Sequence, residues 1–191
     1  MTASNDAVRS GIRAEIVTIA WMATEATLAI VAGVRAHSVL VTAFGLDSVI
    51  EMVSGILLLL RLRDAVSEHR ARIISTLLLA ALSIYVAASI AVGIVYRIRP
   101  EESLLALVVA AAAVVAMPLL AMWKRRVNET LQSAALRADI AETLACAWIS
   151  AIVLAAVIVN RIAGAWWIEY PASAVLLVWI IRETWESMES H

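Results

Sequence analysis

Six long apolar runs constrain the fold of this chain more than any other feature of its sequence. Each run is close to the ~20 residues that an α-helix needs to cross the ~30 Å of hydrocarbon in a bilayer. Runs such as LALVVAAAAVVAMPLLAM show no alternation of polar and apolar residues, which argues against a membrane β-barrel. We therefore predict six transmembrane helices, over residues 14–35, 38–62, 73–97, 103–123, 131–160 and 165–183.

Composition agrees with an all-α, multi-pass protein of the cell membrane. Hydrophobic residues make up 63% of the 191 residues, which leaves too little polar surface for a soluble domain of this length. We predict a cytoplasmic tail over residues 1–13, a transmembrane domain over residues 14–186 and no soluble C-terminal domain. The single cysteine excludes an internal disulfide. No feature supports nucleic-acid binding, and no nucleotide-binding or nucleophile motif suggests an enzyme.

Basic residues indicate the orientation, because short cytoplasmic connections carry an excess of Lys and Arg. With six spans and the N-terminus inside, four basic residues fall on the outer side, namely Arg35, Arg97, Arg99 and Arg161. The cytoplasmic segments then hold the other eleven, namely Arg9, Arg13, Arg61, Arg63, Arg70, Arg72, Lys124, Arg125, Arg126, Arg137 and Arg182. Both termini are therefore predicted to be cytoplasmic.

Acidic residues and the cysteine inside the apolar runs are the candidate functional residues. Asp47 and Glu51 are four apart in the second run, while Asp139, Glu142 and Cys146 recur at spacings of three and four in the fifth. Ionisable groups at membrane depth are costly, and by default they indicate a functional site. Two helices that each offer two ligand-type side chains are enough for one four-coordinate metal ion, for which we predict Asp47, Glu51, Glu142 and Cys146.

The predicted depths of the two pairs are similar. Helices 2 and 5 are expected to be antiparallel, because the connections between consecutive helices are short. At ~1.5 Å of rise per residue, Asp47 lies ~14 Å below the outer start of helix 2 and Glu142 lies ~17 Å above the inner start of helix 5. Both pairs are thus predicted near the middle of the bilayer.

Three segments resemble the transmembrane part of the cation diffusion facilitator family, six-helix exporters that exchange divalent metals, usually zinc, for protons. The segments are SVLVTAFGLDSVIEMVSG, SAALRADIAETLACAWIS and WWIEYPASAVLLVWIIRETWE. Where the family has two aspartates on helix 2 and a histidine with an aspartate on helix 5, this chain has Asp47, Glu51, Glu142 and Cys146. The family's cytoplasmic domain has no counterpart here. The resemblance also implies a homodimer, with helices 3 and 6 outside the ligand-bearing bundle.

The chemistry of the substituted site suggests both the cargo and the exchange. Three carboxylates and a thiolate suit a transition-metal dication, with zinc as the first choice, followed by cadmium, cobalt, iron and manganese. Protons and metal would compete for the same oxygens, so metal entry would release protons. The sequence therefore predicts a metal cation/proton antiporter. The alternative is a non-transporting membrane protein that uses the same site for metal binding, sensing or structure.

Four further positions have weaker predictions. Glu25, in the middle of helix 1, is a candidate for the cation route or for proton binding. Asp139 either lines an inner vestibule or pairs with Arg137 or with an interfacial lysine or arginine. Gly45 and Gly55 are expected to permit close helix contacts.

Overall fold

The computed structural model describes residues 2–61 and 68–189, and within them the chain is helical without any strand. Arg63 of the predicted cytoplasmic segments lies outside the described residues. A short 3-10 turn, Trp166–Ile168, precedes the last helix. The helices are α1 (Thr2–Arg35), α2 (Val39–Arg61), α3 (Glu68–Val95), α4 (Leu104–Leu131), α5 (Ala134–Ala163) and α6 (Glu169–Glu189).

Five of these six helices, α1 to α5, are long and apolar enough to cross a membrane. Helix α6 does not meet that description, because its last third carries Arg182, Glu183, Glu186 and Glu189. The chain is thus a multi-pass membrane protein by the length and composition of its helices.

Helix ends are set by local capping rather than by the limits of the apolar runs. The Ser133 side chain accepts a hydrogen bond from the Leu136 backbone N–H and starts α5, while Gln132, in the left-handed region at φ 52°, ends α4. Asn128 Oδ1 accepts a hydrogen bond from the Ser133 backbone N–H at 2.8 Å. The connection between α4 and α5 is therefore a two-residue turn that forces the two helices to be antiparallel.

Four helices form a ring in which α1 packs on α2, α2 on α5, α5 on α4 and α4 on α1. Helices α3 and α6 pack on each other and join the ring through α2 and α5. Two glycines allow α1 and α2 to approach closely, as expected. A Cβ at Gly45 would lie 2.8 Å from the Ile30 backbone nitrogen, and one at Gly55 would lie 2.6 Å from Glu15 Oε1.

The connections α1–α2, α3–α4 and α5–α6 meet at one end of the bundle, which we call the Glu169 end. The Glu169 carboxylate accepts hydrogen bonds from the first two backbone N–H groups of α2, at 2.5 Å from Val39 and 3.3 Å from Leu40. The Glu101 backbone N–H donates to the Ala36 carbonyl at 2.8 Å. These bonds hold the connecting segments together at this end. The opposite end, where α4 turns into α5, is called the Lys124 end.

Two predictions about the periphery of the bundle can be placed on the structure. The described part of the predicted tail over residues 1–13 is helical and continues directly into the rest of α1. On α3, which the family resemblance places outside the ligand-bearing bundle, Ala87 and Ala91 lie on the exposed side of the helix, which this chain leaves uncovered. The homodimer itself stays a prediction.

Candidate cation site in the helix bundle

A cavity of about 90 Å³ lies between α2, α3, α5 and α6. It has room for several water-sized groups. Four of the residues around it are acidic, two are serines and two are apolar. They are Asp47, Ile50, Glu51 and Ser54 of α2, Ser75 and Leu79 of α3, Glu142 of α5, and Glu183 of α6.

Helix α2 contributes the most deeply buried acid of the cavity. The helical spacing of four puts Asp47 and Glu51 on the same side of α2. Asp47 is only 3% exposed. Asp47 Oδ2 and Glu51 Oε2 are both buried, and neither accepts a hydrogen bond within the part of the chain that the structure describes. A buried carboxylate oxygen without a donor is costly, so both oxygens are suited to receive a cation or a proton.

Glu142 and Glu183 complete the acidic lining from the opposite helices. Both interact electrostatically with Asp47 and with Glu51, so the ionised forms of these acids would repel one another across the cavity. Glu183 was not predicted as a site residue. Glu183 lies at the end of the last apolar run, where acidic residues are typical of the membrane interface. The sequence signal that could have identified it is its position in WWIEYPASAVLLVWIIRETWE, one of the three segments that resemble the cation diffusion facilitator family.

Cys146, the fourth predicted metal ligand, lies behind the cavity rather than on its wall. It is fully buried, and its thiol donates toward Glu25 Oε1 at 3.9 Å. Its electrostatic neighbours also include Glu51 and Asp47. The thiol is therefore close to the acidic pair of α2, although it faces α1.

Glu25, the predicted route or proton residue, is a hydrogen-bond acceptor between three helices. It is 1% exposed, and its carboxylate accepts hydrogen bonds from Ser48 Oγ and from Trp21 Nε1, both at 2.7 Å. With the contact from Cys146, it links α1 to α2 and α5. Since Ser48 follows Asp47 directly, Glu25 fixes the segment of α2 that carries the acidic pair.

The structure brings three of the four predicted ligands to one cavity, but it does not arrange them as a coordination shell. Over residues 2–61 and 68–189, no group of three or more His, Cys, Asp or Glu side chains is placed so that it could hold a metal ion. Asp47, Glu51 and Glu142 therefore share the wall of the cavity without converging on one point. A cation bound there would require side-chain rotations of these flexible carboxylates toward a common centre.

Asp139, the second predicted route residue, belongs to a separate buried cluster at the Lys124 end. Its Oδ2 atom lies 2.7 Å from Lys124 Nζ, which is also 3.0 Å from Glu15 Oε2. Lys124 Nζ also donates a hydrogen bond to Thr143 Oγ1, at 3.3 Å. Of the two interpretations of Asp139, the structure thus supports pairing with a lysine.

The position of Lys124 corrects its assignment to a cytoplasmic connecting segment. Helix α4 continues past the apolar run to Leu131, and Lys124 is fully buried within it, against α1 and α5. Its partner Glu15 was likewise not singled out from the sequence. One signal was available, since Lys124 is the only lysine among the 15 basic residues of the chain.

Comparison with known proteins adds no relative, since neither a family model nor a curated protein matches this chain. The resemblance to the cation diffusion facilitator family therefore depends on the three sequence segments alone, and membership in that family stays a prediction.

Proposed function

We propose that this protein is a secondary transporter that moves a divalent transition-metal cation across the membrane in exchange for protons. The observation that carries the proposal is the pair of buried oxygens, Asp47 Oδ2 and Glu51 Oε2, which line a cavity with two further acids and accept no hydrogen bond within the described residues. Acids inside a membrane bundle are costly, and they typically mark ion or proton pathways.

The exchange follows from charge balance in the cavity. The buried carboxylates of Asp47 and Glu51 need compensating positive charge, and a dication and protons can both supply it. Because the two kinds of cation use the same oxygens, binding of one favours release of the other. Asp47 and Glu51 would hold the cation from α2, and Glu142 and Glu183 would hold it from α5 and α6.

The topology forms part of the same proposal. Helix α6 would cross the membrane as the sixth span, with Glu183 facing the cavity between α2, α3 and α5 instead of lipid. Six crossings leave both termini on the same side, which the excess of basic residues makes the cytoplasmic side of the cell membrane. Reporter fusions at the two termini that label from opposite sides would contradict this topology.

Transport by the wild-type protein is the direct test. Proteoliposomes loaded with a fluorescent metal indicator should take up Zn²⁺ or Mn²⁺ faster with an outward proton gradient than without one, and a pH dye should report the opposite movement of protons. Empty liposomes and liposomes with a proton ionophore are the controls. Metal binding without any gradient-dependent flux would instead support the non-transporting alternative.

Selectivity between soft and hard metals tests the role of Cys146. Thiolates favour soft ions such as Cd²⁺, whereas carboxylates favour harder ions such as Mn²⁺. Because the thiol lies near Glu51, we expect Cys146→Asp to lower the ratio of Cd²⁺ flux to Mn²⁺ flux. The expected decrease is about tenfold, the lower end of the effects seen when a group around a metal site is changed.

Ser150→Ala is the matched control for this prediction. Ser150 lies one turn further along α5, is also fully buried and carries no sulfur. The control should leave the flux ratio unchanged. An equal ratio in Cys146→Asp and wild type would show that the thiol does not contact the transported ion.

A further inference from the structure

The Lys124 ammonium group is enclosed by oxygens in the way a bound cation would be. Three oxygens surround Lys124 Nζ, from Asp139 at 2.7 Å, Glu15 at 3.0 Å and Thr143 at 3.3 Å. The Lys124 side chain is 0% exposed. The three oxygens come from α1 and α5, whereas the ammonium group reaches them from α4.

The cluster contains two carboxyl groups and one ammonium group. Its oxygens could therefore balance a dication as well as a single charge. Two carboxylates and a hydroxyl are hard ligands, of the type that Mn²⁺ and Mg²⁺ prefer. The remaining 14 basic residues of the chain are all arginines. A lysine differs from these because its ammonium group is a compact point charge with three donors, comparable to a small ion.

The cluster is electrostatically linked to the acidic cavity through α5. Asp139 and Glu142 are three residues apart, which places them on neighbouring turns of one helix face. Glu142 interacts with Asp139, Lys124 and Glu15 of the cluster, and also with Glu183 of the cavity. A positive charge in the Lys124 cluster therefore changes the electrostatic potential at the cavity, and a positive charge in the cavity changes it at the cluster.

We propose that Glu15, Asp139 and Thr143 form a second cation site, which the Lys124 ammonium group occupies in this structure and yields to a divalent cation. The identity of this cation with the transported one rests on the proposed function. The existence of the second site does not depend on transport. The cluster is then an exchange point at the Lys124 end, where a tethered cation and a free one alternate on the same oxygens.

Chemical labelling of Lys124 in the wild-type protein tests the proposal without any substitution. In lipid nanodiscs, an amine-reactive reagent should modify Lys124 slowly, because a fully buried group is labelled only in molecules that have released it. Saturating Mn²⁺ should raise this rate by about tenfold or more, as measured by mass spectrometry of the peptide that contains the only lysine. An unchanged or slower rate would overturn the proposal.

Two variants separate this site from the cavity. In Asp47→Asn/Glu51→Gln, Mn²⁺ should still accelerate labelling of Lys124, even if the cavity neither binds nor transports metal. If the acceleration is lost in that variant, the effect comes from the cavity and the second site is wrong. Glu15→Gln should remove the acceleration, because it takes away one of the two carboxylates that would hold the ion.

The affinity for Mn²⁺ gives an independent measurement. By equilibrium dialysis, Lys124→Met should fill this site at a lower Mn²⁺ concentration than the wild type, because no ammonium group competes for its oxygens. The tightly bound ion should be absent from Lys124→Met/Glu15→Gln/Asp139→Asn, which removes all three charged groups. Equal Mn²⁺ binding by Lys124→Met and the triple variant would contradict a cation site at this position.

Discussion

Proteoliposomes that contain Asp47→Asn are expected to take up neither Zn²⁺ nor Mn²⁺ under a proton gradient. The substitution preserves the size of a side chain that is 3% exposed, but it removes a carboxyl group from the wall of the cavity. An amide cannot balance a dication as a carboxylate does, and it cannot exchange a proton for one. The expected loss of flux is about 100-fold, the upper end of the effects seen for groups around metal sites.

Folding should survive this change, because the substitution removes a costly buried acid without opening the core. Ser54→Ala is the matched control, since Ser54 lines the same cavity and carries no charge. Its flux should stay close to that of the wild type. Wild-type flux in Asp47→Asn, with correct reconstitution confirmed by circular dichroism, would contradict the assignment of the cavity as the transport site.

The second large effect is expected in the stability of Lys124→Met. This change leaves the carboxylates of Glu15 and Asp139 buried together without their positive partner. Removing one partner of a buried ion pair typically costs about 3–5 kcal/mol. We expect a loss of this size in the free energy of unfolding, measured by titration with sodium dodecyl sulfate in mixed micelles without divalent metal.

Two comparisons identify the cause of that loss. Lys124→Met/Glu15→Gln/Asp139→Asn should regain most of the stability, because it leaves no uncompensated charge. Arg125→Met changes the next residue of α4, whose side chain is exposed, and should have little effect. Similar losses in Arg125→Met and Lys124→Met would show that the buried cluster does not stabilise the bundle.

The membrane-spanning helices could be predicted from the sequence because apolarity records contact with lipid. The run over residues 38–62 agrees closely with α2, Val39–Arg61. The run over residues 103–123 ends well before α4, which continues to Leu131. Apolarity cannot locate this end, because the last two turns of α4 are polar and the helix is terminated by Gln132 and the Ser133 cap.

Residue spacing predicted which side chains of the site share a face of one helix, but not which helices those faces contact. The spacing of Asp47 and Glu51 indicates a shared face, and the structure places both on the cavity with Glu142. Helical spacing does not reveal which neighbouring helix that face meets, so it could not show that Cys146 faces Glu25 of α1. Contacts between distant parts of the chain, such as Lys124 with Glu15, cannot be derived from residue spacing in a single sequence.

The pairing of Glu15 with Lys124 also has a consequence for biosynthesis. Lys124 is the 109th residue after Glu15. At ~5–20 residues per second, a ribosome needs about 5 to 20 s to supply it. Helix α1 therefore emerges with Glu15 before its partner on α4 exists. An unpaired acid in an inserting helix costs up to about 2.5–3.5 kcal/mol, so α1 is expected to leave the translocon for lipid only after α4 has been made.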